Sequence, residues 1–439
     1  MLTRLIFGLS VFLGTALAQP YRGALDAAVN AETASLEALY KHLHRTPELS
    51  YHEKETAARI ARELAAAGFQ VTAGVGGTGV TGVMKNGPGP TVLVRTDLDG
   101  LPVEEKTGLD YASKARTRDD AGKEVAVMHA CGHDMHMTAF IGVARALGKL
   151  KDYWSGTAVL IGQPAEERGG GALAMINDGL YTRFPRPDYA LAFHVDAALE
   201  AGRIGYREGF GMANVDSVDV TIRGLGGHGA YPHATKDPVV IAAQVILALQ
   251  TIVSREVRPI DAAVVTVGSI HGGTKHNIIP DEVQLQLTLR SYSDENREQI
   301  LTAVRRIVTG IARAAGVPSD REPIIKLAND EYTPATYNDP ALVQRLVGVW
   351  KPLLGESNVV ARDPEMGGED FSRYGRVEPK IPIMLVRLGV VDDARMAASK
   401  SPGTGLPSLH SPLFWPALHP TIENGVKAMT AAVIELLKK

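Results

Sequence analysis

Short apolar segments that alternate with helical segments constrain the fold of this chain most strongly. Two helical patterns, at residues 25–44 and 53–67, are separated by a break at Pro47. Three apolar segments that follow are predicted to be strands, at 91–95, 157–163 and 189–195. Strands that alternate with helices predict an α/β domain with a largely parallel sheet. Residues at the strand ends and in the loops after them are the first candidates for a functional site.

The pattern changes near residues 205–213. The segment that follows is predicted to hold four strands and two helices, at 215–223, 238–255, 262–269, 283–290, 294–315 and 324–327. Two helices on a small, mostly antiparallel sheet form an α+β unit. The α/β pattern then returns, with elements at 342–354, 383–388 and 422–437. We therefore predict an α/β domain in two parts, 19–212 and 329–439, interrupted by a smaller α+β domain at 213–328.

Residues 1–18 have the features of a secretory signal peptide. Arg4 is followed by an apolar run at 5–17, and an A-x-A ending at Ala18 precedes Gln19. The alternatives are a buried N-terminal helix or a membrane anchor, but the run is short for a spanning helix, which needs about 20 residues. We therefore predict cleavage after Ala18 and a periplasmic or secreted protein. No other stretch is expected to reach membrane length.

The composition excludes some function classes. With 46 Lys+Arg against 49 Asp+Glu, the net charge of −3 gives no support to a nucleic-acid-binding surface. A hydrophobic content of 45% excludes a disordered chain. The chain has one cysteine, Cys131, against thirteen histidines. An intramolecular disulfide is therefore impossible, and an unpaired thiol in an oxidising compartment needs another explanation.

Metal binding would explain this thiol. Cys131 lies in a segment that also holds His129, His133 and His136. Thiolate and imidazole both bind borderline metals such as zinc. The alternative is a buried structural cysteine beside surface histidines. Four such side chains within eight residues favour a metal site, in which a ligated thiolate is protected from oxidation.

Other ligand-type residues follow predicted strands. Glu166 and Glu167 come directly after one strand, His194 ends another, and His410 lies far downstream. Adjacent carboxylates at such a position can divide two roles, one as metal ligand and one as general base. The candidate donors of nitrogen, sulfur or oxygen are Cys131, His133, Glu167, His194 and His410. They are too many for one tetrahedral zinc, and two metal ions that share a bridging water fit the count better.

Seven ordered motifs identify a family that the chain resembles. They are HRTPELS at 44–50, RTDLDGLP at 95–102, HACGHD at 129–134, PAEE at 164–167, GGHGAYPH at 226–233, NIIPD at 277–281 and GGEDF at 367–371. Together they are similar to the motifs of the dinuclear-metal amidohydrolase and carboxypeptidase family, which includes hippurate hydrolase, indole-acetyl-amino-acid hydrolase and aminoacylase. The resemblance covers nearly all of the mature chain.

The resemblance implies roles for individual residues. In the amidohydrolase branch, the metal ligands match Cys131, His133, Glu167, His194 and His410. Glu166 matches the general base, and Asp97 matches a residue that supports catalysis near the metals. Where peptidase relatives carry a ligand histidine two positions before that aspartate, this chain has Arg95. This difference favours the amidohydrolase branch, with His133 in the vacant ligand position.

The inserted domain resembles the family's lid and dimerisation domain, so the resemblance implies a homodimer. His228 matches a residue that stabilises the oxyanion, often from the partner subunit. Asn277 and Arg290 match positions that can bind a substrate carboxylate, and an arginine fork suits a free α-carboxylate. The implied fold is a mixed-sheet, zinc-peptidase-like α/β domain with a ferredoxin-like insertion.

The implied function is hydrolysis of N-acyl or N-aroyl amino acids by a metal-bound hydroxide, with Glu166 as general base. Two divalent ions per subunit are implied; the thiolate favours zinc, and manganese, cobalt and nickel stay open. The alternatives are a carboxypeptidase or dipeptidase and, in another class, a non-catalytic metal-dependent binding protein, which the presence of Glu166 disfavours. Asp134 and His136 either orient neighbouring side chains or only begin a helix. His44 is expected to be an ordinary surface or packing histidine, and Glu369 has no assigned role.

Overall fold

The computed structural model describes residues 20–328, 332–401 and 403–438. The predicted signal peptide lies outside the described residues. The helices are α1 (Arg22–Arg45), α2 (Lys54–Ala66), α3 (His133–Lys149), α4 (Gly171–Asn177), α5 (Leu180–Arg183), α6 (Pro238–Thr251), α7 (Asp294–Ala314), α8 (Pro340–Leu354), α9 (Asp393–Ala398) and α10 (Leu418–Leu436). The strands are β1 (Gln70–Val75), β2 (Gly79–Asn86), β3 (Thr91–Asp97), β4 (Arg116–Arg118), β5 (Glu124–Ala126), β6 (Gly156–Gln163), β7 (Tyr189–Glu200), β8 (Ile204–Tyr206), β9 (Gly209–Met212), β10 (Asn214–Arg223), β11 (Gly227–His228), β12 (Ala263–Gly272), β13 (Ile278–Ile279), β14 (Glu282–Ser291), β15 (Ile324–Leu327), β16 (Thr336–Asn338), β17 (Val359–Ala361) and β18 (Ile383–Val391).

An eight-stranded mixed sheet forms the centre of the larger unit. Its strand order is β1-β2-β6-β3-β7-β18-β8-β17. The central strands β6, β3, β7 and β18 pair in parallel. The pairs β1–β2, β2–β6 and β18–β8 are antiparallel. The β17–β8 pair at the far edge is parallel again. The expectation of a largely parallel sheet is therefore correct for the centre and for that edge, and the exceptions are the β1–β2 flank and the β18–β8 pair.

The antiparallel flank comes from the β1–β2 hairpin, which the sequence analysis does not predict. Gly76 and Gly77 in its turn both have positive φ, 67° and 104°. A Cβ on Gly76 would lie 2.5 Å from the backbone nitrogen of Met175, so glycine is required there. Most of β2 is buried. It therefore lacks the apolar–polar alternation that marks a half-buried strand.

Helices cover both faces of this sheet. α1, α3 and α10 pack against one another and, with α2 and α8, enclose the main core, where Trp154 and Trp350 are fully buried. A smaller core on the other face includes Leu93 and Phe371. Strands covered on both faces are apolar along their length, as β18 is. This packing fixes the strand ends that carry the candidate site.

The inserted unit has its own core. β10, β12, β14 and β15 form an antiparallel sheet in the order β12-β14-β10-β15, and α6 and α7 pack on it. Val220, Leu285 and Val304 are among its buried residues. The element order β-α-β-β-α-β with this strand order is ferredoxin-like. The predicted fold class, a mixed-sheet α/β domain with a smaller α+β insertion, is confirmed.

The two chain crossings between the units lie side by side. β9 and β16 pair antiparallel there. Asn338 donates from Nδ2 to the carbonyl of Arg207 at 2.9 Å and accepts at Oδ1 from the Leu385 N–H at 2.9 Å. These bonds tie the two crossings to each other and to β18 of the large sheet.

Within the described ranges, Pro238–Glu256 is one helical segment that is long and apolar enough to cross a membrane, by length and composition only. The expectation that no segment after residue 18 reaches membrane length is therefore wrong. Ile241 and Val245 on one face pack in the core of the insertion, whereas Val240 and Leu247 are 54% and 73% exposed. The helix is apolar on two faces, and an uncovered apolar face is typical of a protein interface.

Candidate metal centre and cavity

The candidate site lies at the carboxyl ends of the central parallel strands, where α/β sheets bind ligands. Asp97 is the last residue of β3, Glu166 and Glu167 follow the end of β6, and β7 carries His194. Cys131 lies in the loop that leads into α3. The strand-end residues that the sequence singled out therefore meet at one edge of the sheet.

Two further histidines enter from other segments. His133 is the first residue of α3 and is buried. His410 lies on a loop far downstream, and its N–H donates to the carbonyl of Ala130 at 2.9 Å. The φ of His410 is 66°. A positive φ outside glycine is uncommon and persists where the surroundings enforce it, often at functional sites.

Hydrogen bonds set which ring nitrogen faces the site. His133 Nδ1 lies 2.8 Å from the carbonyl oxygen of Asp99, and His194 Nδ1 lies 2.8 Å from that of Val195. A carbonyl only accepts, so each Nδ1 carries the hydrogen and each Nε2 offers a lone pair to the site. Burial and the nearby charge of Arg387 hold the pKa of His194 well below its usual value, so this ring is neutral.

Two groups of donor atoms meet at Glu167. In the first, His133 Nε2 lies 3.8 Å from Glu167 Oε1. Glu166 Oε2, on the predicted general base, lies 3.8 Å from the same nitrogen. In the second, Glu167 Oε2 lies 3.5 Å from His410 Nε2, and the Cys131 sulfur lies within 4.8 Å of donor atoms of both residues. Each group could hold one metal ion, and Glu167 is the carboxylate common to both.

These donors fit divalent metal ions. His194 Nε2 lies 3.8 Å from Cys131 Sγ, which extends the second group. Two buried atoms, His133 Nε2 and Glu167 Oε1, have no hydrogen-bond partner among the described residues, although buried polar atoms are normally paired. Nitrogen, sulfur and oxygen donors with such unpaired atoms suit zinc-like ions.

Negative charge dominates the site. Burial, together with Glu369 and Glu167, raises the pKa of Glu166 well above its usual value. Burial also raises the pKa of Glu167 to about 7, against the effect of His133. Burial would lower the pKa of His133, but neighbouring carboxylates, Asp97 foremost, raise it to about 10. The same carboxylates that favour a proton at His133 favour a metal cation there.

Asp99 bonds to the backbone of both candidate glutamates, Glu166 and Glu167, and its position among the site residues was not predicted from the sequence. Its Oδ1 accepts from the N–H of Glu166 and its Oδ2 from the N–H of Glu167, both at 3.1 Å. Ser50 Oγ donates to Oδ2 at 2.6 Å. Burial would raise the pKa of Asp99, but hydrogen bonds from histidine and serine side chains lower it. Its place two residues after β3 was the signal that could have identified it.

His136 orients Asp97, although Asp97, His133 and His136 lie close enough together to suggest a metal site. The N–H of Val195 donates to His136 Nε2 at 2.8 Å, so that lone pair is already used. His136 Nδ1 therefore donates to Asp97 Oδ1, 2.8 Å away. The other Asp97 oxygen accepts from Arg95 Nη1 at 2.7 Å. Despite burial, the neighbouring His133, His136 and Arg95 hold the pKa of Asp97 well below its usual value. The Asp97 carboxylate therefore stays ionised, 3.8 Å from His133 Nε2.

Asp134 joins a buried ion pair behind α3. Its Oδ2 accepts from His44 Nδ1 at 2.6 Å, and His44 Nε2 donates to Glu105 Oε1 at 3.1 Å. Burial would lower the pKa of His44, but the two carboxylates raise it to about 9. His44 is therefore a buried imidazolium that supports the site, and the expectation of an ordinary surface or packing histidine misses this role.

Four of the five candidate metal ligands line a cavity of about 630 Å³ together with Arg290, which β14 of the inserted unit supplies; they are Cys131, Glu167, His194 and His410. Arg290 Nε donates to Thr288 Oγ1 at 3.0 Å, and Nη1 donates to the carbonyl of Met366 at 3.3 Å. Its Nη2 has no hydrogen-bond partner within the described part of the chain. The arginine that the resemblance assigns to a substrate carboxylate thus lines the same cleft as the metal donors.

His228 and Asn277 lie elsewhere. They are neighbours on the exposed β11–β13 pair, where His228 pairs with Ile278 and the N–H of Gly229 donates to the carbonyl of Asn277. Neither lines the cavity that contains the metal donors. Within one subunit, the structure does not bring these two predicted residues to the other site residues.

Comparisons with known proteins place this geometry among metallohydrolases. The family described as Peptidase family M20/M25/M40 matches residues 93–410. The chain is 38% identical over 349 residues to thermostable carboxypeptidase 2 of Saccharolobus solfataricus, and the matched region covers 79% of this chain and 84% of that protein. It is 36% identical over 340 residues to hippurate hydrolase of Campylobacter jejuni, covering 77% of this chain and 84% of that protein.

A solved structure has the same fold. The Bacillus subtilis YXEP protein, described as a dinuclear metal binding peptidase from the M20 family, matches with a TM-score of 0.73 and 28% identity, over 93% of this chain and 99% of that chain. Its dinuclear description agrees with the two donor groups that share Glu167. The relatives' names divide between peptidases and hydrolases of small amides.

Proposed function

Because the chain belongs to the M20/M25/M40 peptidase family of metal-dependent hydrolases, it is an enzyme acting on amide bonds, and we propose that it cleaves N-acyl or N-aroyl amino acids. The products would be a carboxylic acid and a free amino acid. The observation that carries this proposal is the position of Arg290 in the same cavity as the metal donors.

Arg290 suits the free carboxylate of such a substrate. An N-acyl amino acid carries one α-carboxylate close to its amide bond, and a guanidinium binds a carboxylate through two parallel hydrogen bonds. Arg290 is half-buried, and its Nη2 donors have no partner among the described residues. Met212, Val215 and Leu409 line other parts of the cavity and offer apolar surface to an acyl group.

The remaining cavity carboxylates favour an acylated substrate over an unblocked dipeptide. A dipeptide carries an α-ammonium group, which needs an acidic partner. Two more glutamates line the cavity, but Glu369 is paired with Arg95 and Glu365 with Arg387, each at 2.9 Å. A neutral acylated nitrogen needs no such partner. A carboxypeptidase or dipeptidase is the second candidate, supported by the relatives that carry that name.

The residues divide the work of hydrolysis. The metals would be held by Cys131, His133, Glu167, His194 and His410. When bound, they supply Lewis acidity that lowers the pKa of the attacking water and polarises the carbonyl. Glu166 accepts a proton from that water at its carboxylate and delivers it to the leaving nitrogen. Glu166 Oε2 lies 3.8 Å from His133 Nε2, so this carboxylate stands beside a candidate metal ligand.

The test is turnover by metal-loaded protein on benzoylglycine and on an unblocked dipeptide. We expect a higher kcat/KM on benzoylglycine. The variant Arg290→Met should raise KM with a smaller effect on kcat, and Arg290→Lys should restore binding only in part because a lysine has no fork. Faster hydrolysis of the dipeptide would favour the second candidate. Tight binding of the acylated substrate without turnover would instead support a binding protein.

We also propose that the enzyme is a homodimer that pairs through the inserted unit. β12 is an edge strand of its sheet, and the adjacent α6 exposes Val240 and Leu247. Unpaired strand edges and exposed apolar faces are typical of interfaces. Exposure of His228 outside the cavity supports a role at the oxyanion of the neighbouring subunit.

Subunit mixing tests this arrangement. The variants Glu166→Gln and His228→Ala should each be inactive alone, and their mixture should regain activity after subunit exchange. Leu247→Asp should give a monomer by light scattering with little activity. A fully active monomer would refute the dimer, and a mixture without activity would refute the role of the partner subunit's His228.

Export and metal identity are further proposals. The pattern of residues 1–18 supports cleavage after Ala18 and a periplasmic or secreted enzyme. N-terminal sequencing of protein exported by a bacterial host should begin at Gln19, whereas an N-terminus at Met1 would contradict this. The thiolate of Cys131 supports zinc as the resident metal. Metal analysis of protein purified without added metal should then find zinc ahead of manganese, cobalt and nickel.

A further inference from the structure

Arg95 lies beneath the functional glutamates and has no part in the chemistry above. It is on β3, and its side chain is fully buried. Its five N–H groups all find acceptors within 3.3 Å, which are Gln163 Oε1, Asp97 Oδ2, Asp370 Oδ1 and both carboxylate oxygens of Glu369. A guanidinium has five donors in one plane. The surroundings therefore match its shape as well as its charge.

These acceptors hold both ends of the loop that carries Glu166. Gln163 is the last residue before this loop, and Ala172 follows its end. Asp370 Oδ1 accepts from Gln163 Nε2 at 2.7 Å, and Asp370 Oδ2 accepts from the N–H of Ala172 at 2.9 Å. Through Gln163 and Asp370, Arg95 fixes the loop at its start and at its end.

The loop needs such support. Ala165, directly before Glu166, has a φ of 48°, a left-handed conformation that a non-glycine residue keeps only where its surroundings enforce it. Carboxylate oxygens of Glu166, Glu369 and Asp370 lie within 4.8 Å of one another. Like charges at that distance repel, and the guanidinium of Arg95 is the cation that bonds to two of the three carboxylates.

We propose that Arg95 is a positioning residue that fixes Glu166 for proton transfer by clamping the loop between residues 163 and 172. The guanidinium of Arg95 bonds to the carboxylates of Asp97, Glu369 and Asp370. It bonds to none of the five candidate metal ligands. The inference rests on the proposed role of Glu166 as general base.

Two variants of Arg95 test the clamp in the metal-loaded enzyme. Arg95→Lys keeps the charge without the planar fork, and Arg95→Met removes both. Both should lower kcat on benzoylglycine by about 100-fold with KM little changed. That is the expected effect if the Glu166 carboxylate moves by about 1 Å from its reactive position. Both should still hold two metal ions per chain. Wild-type kcat in Arg95→Lys would overturn the proposal, as would a loss of metal in proportion to the loss of activity.

Controls separate this role from general stability. Arg145 on α3 also bonds two carboxylates, Glu32 at 2.7 Å and Glu63 at 2.6 Å, so Arg145→Met should lower the melting temperature and leave kcat unchanged. If Arg95 variants do not fold, Gln163→Met breaks the same clamp at one end. It should lower kcat with metal retained, and an unchanged kcat would refute the clamp.

Glu166→Gln, measured in parallel, distinguishes a failure of the proposed general base from a failure of the proposed positioning role of Arg95. Full activity in Glu166→Gln would refute the proposed general base itself. An inactive Glu166→Gln beside fully active Arg95 variants would refute only the positioning role of Arg95.

Discussion

Replacing His44 with glutamine should destabilise the larger unit in a pH-dependent way. His44 bridges Asp134 and Glu105 at 2.6 and 3.1 Å and is 1% exposed. Removing one partner of a buried ion pair leaves uncompensated charge and costs about 3–5 kcal/mol. Asp134 directly follows His133, a proposed metal ligand, so the same change should also loosen the start of α3.

The magnitude follows from the pKa of His44. A rise from 6.5 to about 9 in the folded state corresponds to about 3 kcal/mol, at about 1.4 kcal/mol for each pH unit. A raised pKa stabilises the fold fully below the unfolded value and loses this contribution as pH rises through the folded value. The difference in free energy of unfolding between the wild type and His44→Gln should therefore shrink as the pH rises from 6.5 to 9.

Urea unfolding followed by tryptophan fluorescence measures this difference. Trp154 and Trp350 are both buried in the core of the larger unit, so the signal reports on that unit. His42→Gln is the matched control, because His42 lies on the same helix near Arg59 and Arg62. A stability difference between wild type and His44→Gln that stays constant from pH 6 to pH 10 would refute the assigned ionisation of His44.

Three further predictions concern the site and the cleft. Asp99→Asn should weaken metal affinity about 10- to 100-fold in chelator competition, because the amide cannot accept from both glutamate N–H groups; unchanged affinity would count against Asp99 as a support. Gly368→Ala would place a Cβ 2.3 Å from Val215 Cγ2 and should cost about 1–3 kcal/mol by thermal unfolding. Val215→Ala should recover most of that loss, and a stable Gly368→Ala would show that the contact is not tight. Chelation should abolish hydrolysis, and added zinc should restore it; persistent turnover in metal-free protein would contradict a metal-dependent reaction.

The sequence predicted the parts of the site whose signal is local. Cys131 and His133 lie close together in one motif, and Glu166 and Glu167 follow an apolar strand, so spacing and strand ends identified them. Parallel strands bring their carboxyl ends to one edge, which explains why these residues meet in space. The inserted unit was also predictable, because its strands alternate between buried positions and half-buried or exposed ones.

The supporting residues were harder to predict because their partners are distant in the chain. His44 bonds to Asp134 across 90 residues, and Asp99 bonds to Ser50 across 49. No local pattern marks such a pair before the fold is known. The β1–β2 hairpin was not predicted for a different reason. β2, the strand that pairs with β6, is mostly buried and lacks the alternation of apolar and polar residues that marks a half-buried strand.

The most direct test of the account is the turnover of benzoylglycine by Glu166→Gln loaded with metal. We predict two divalent ions per chain, as in the wild type, and a kcat lower by about 10²- to 10⁴-fold, the usual contribution of a general base. A variant that holds both metals and keeps the wild-type kcat would contradict the assignment of Glu166 and the mechanism built on it.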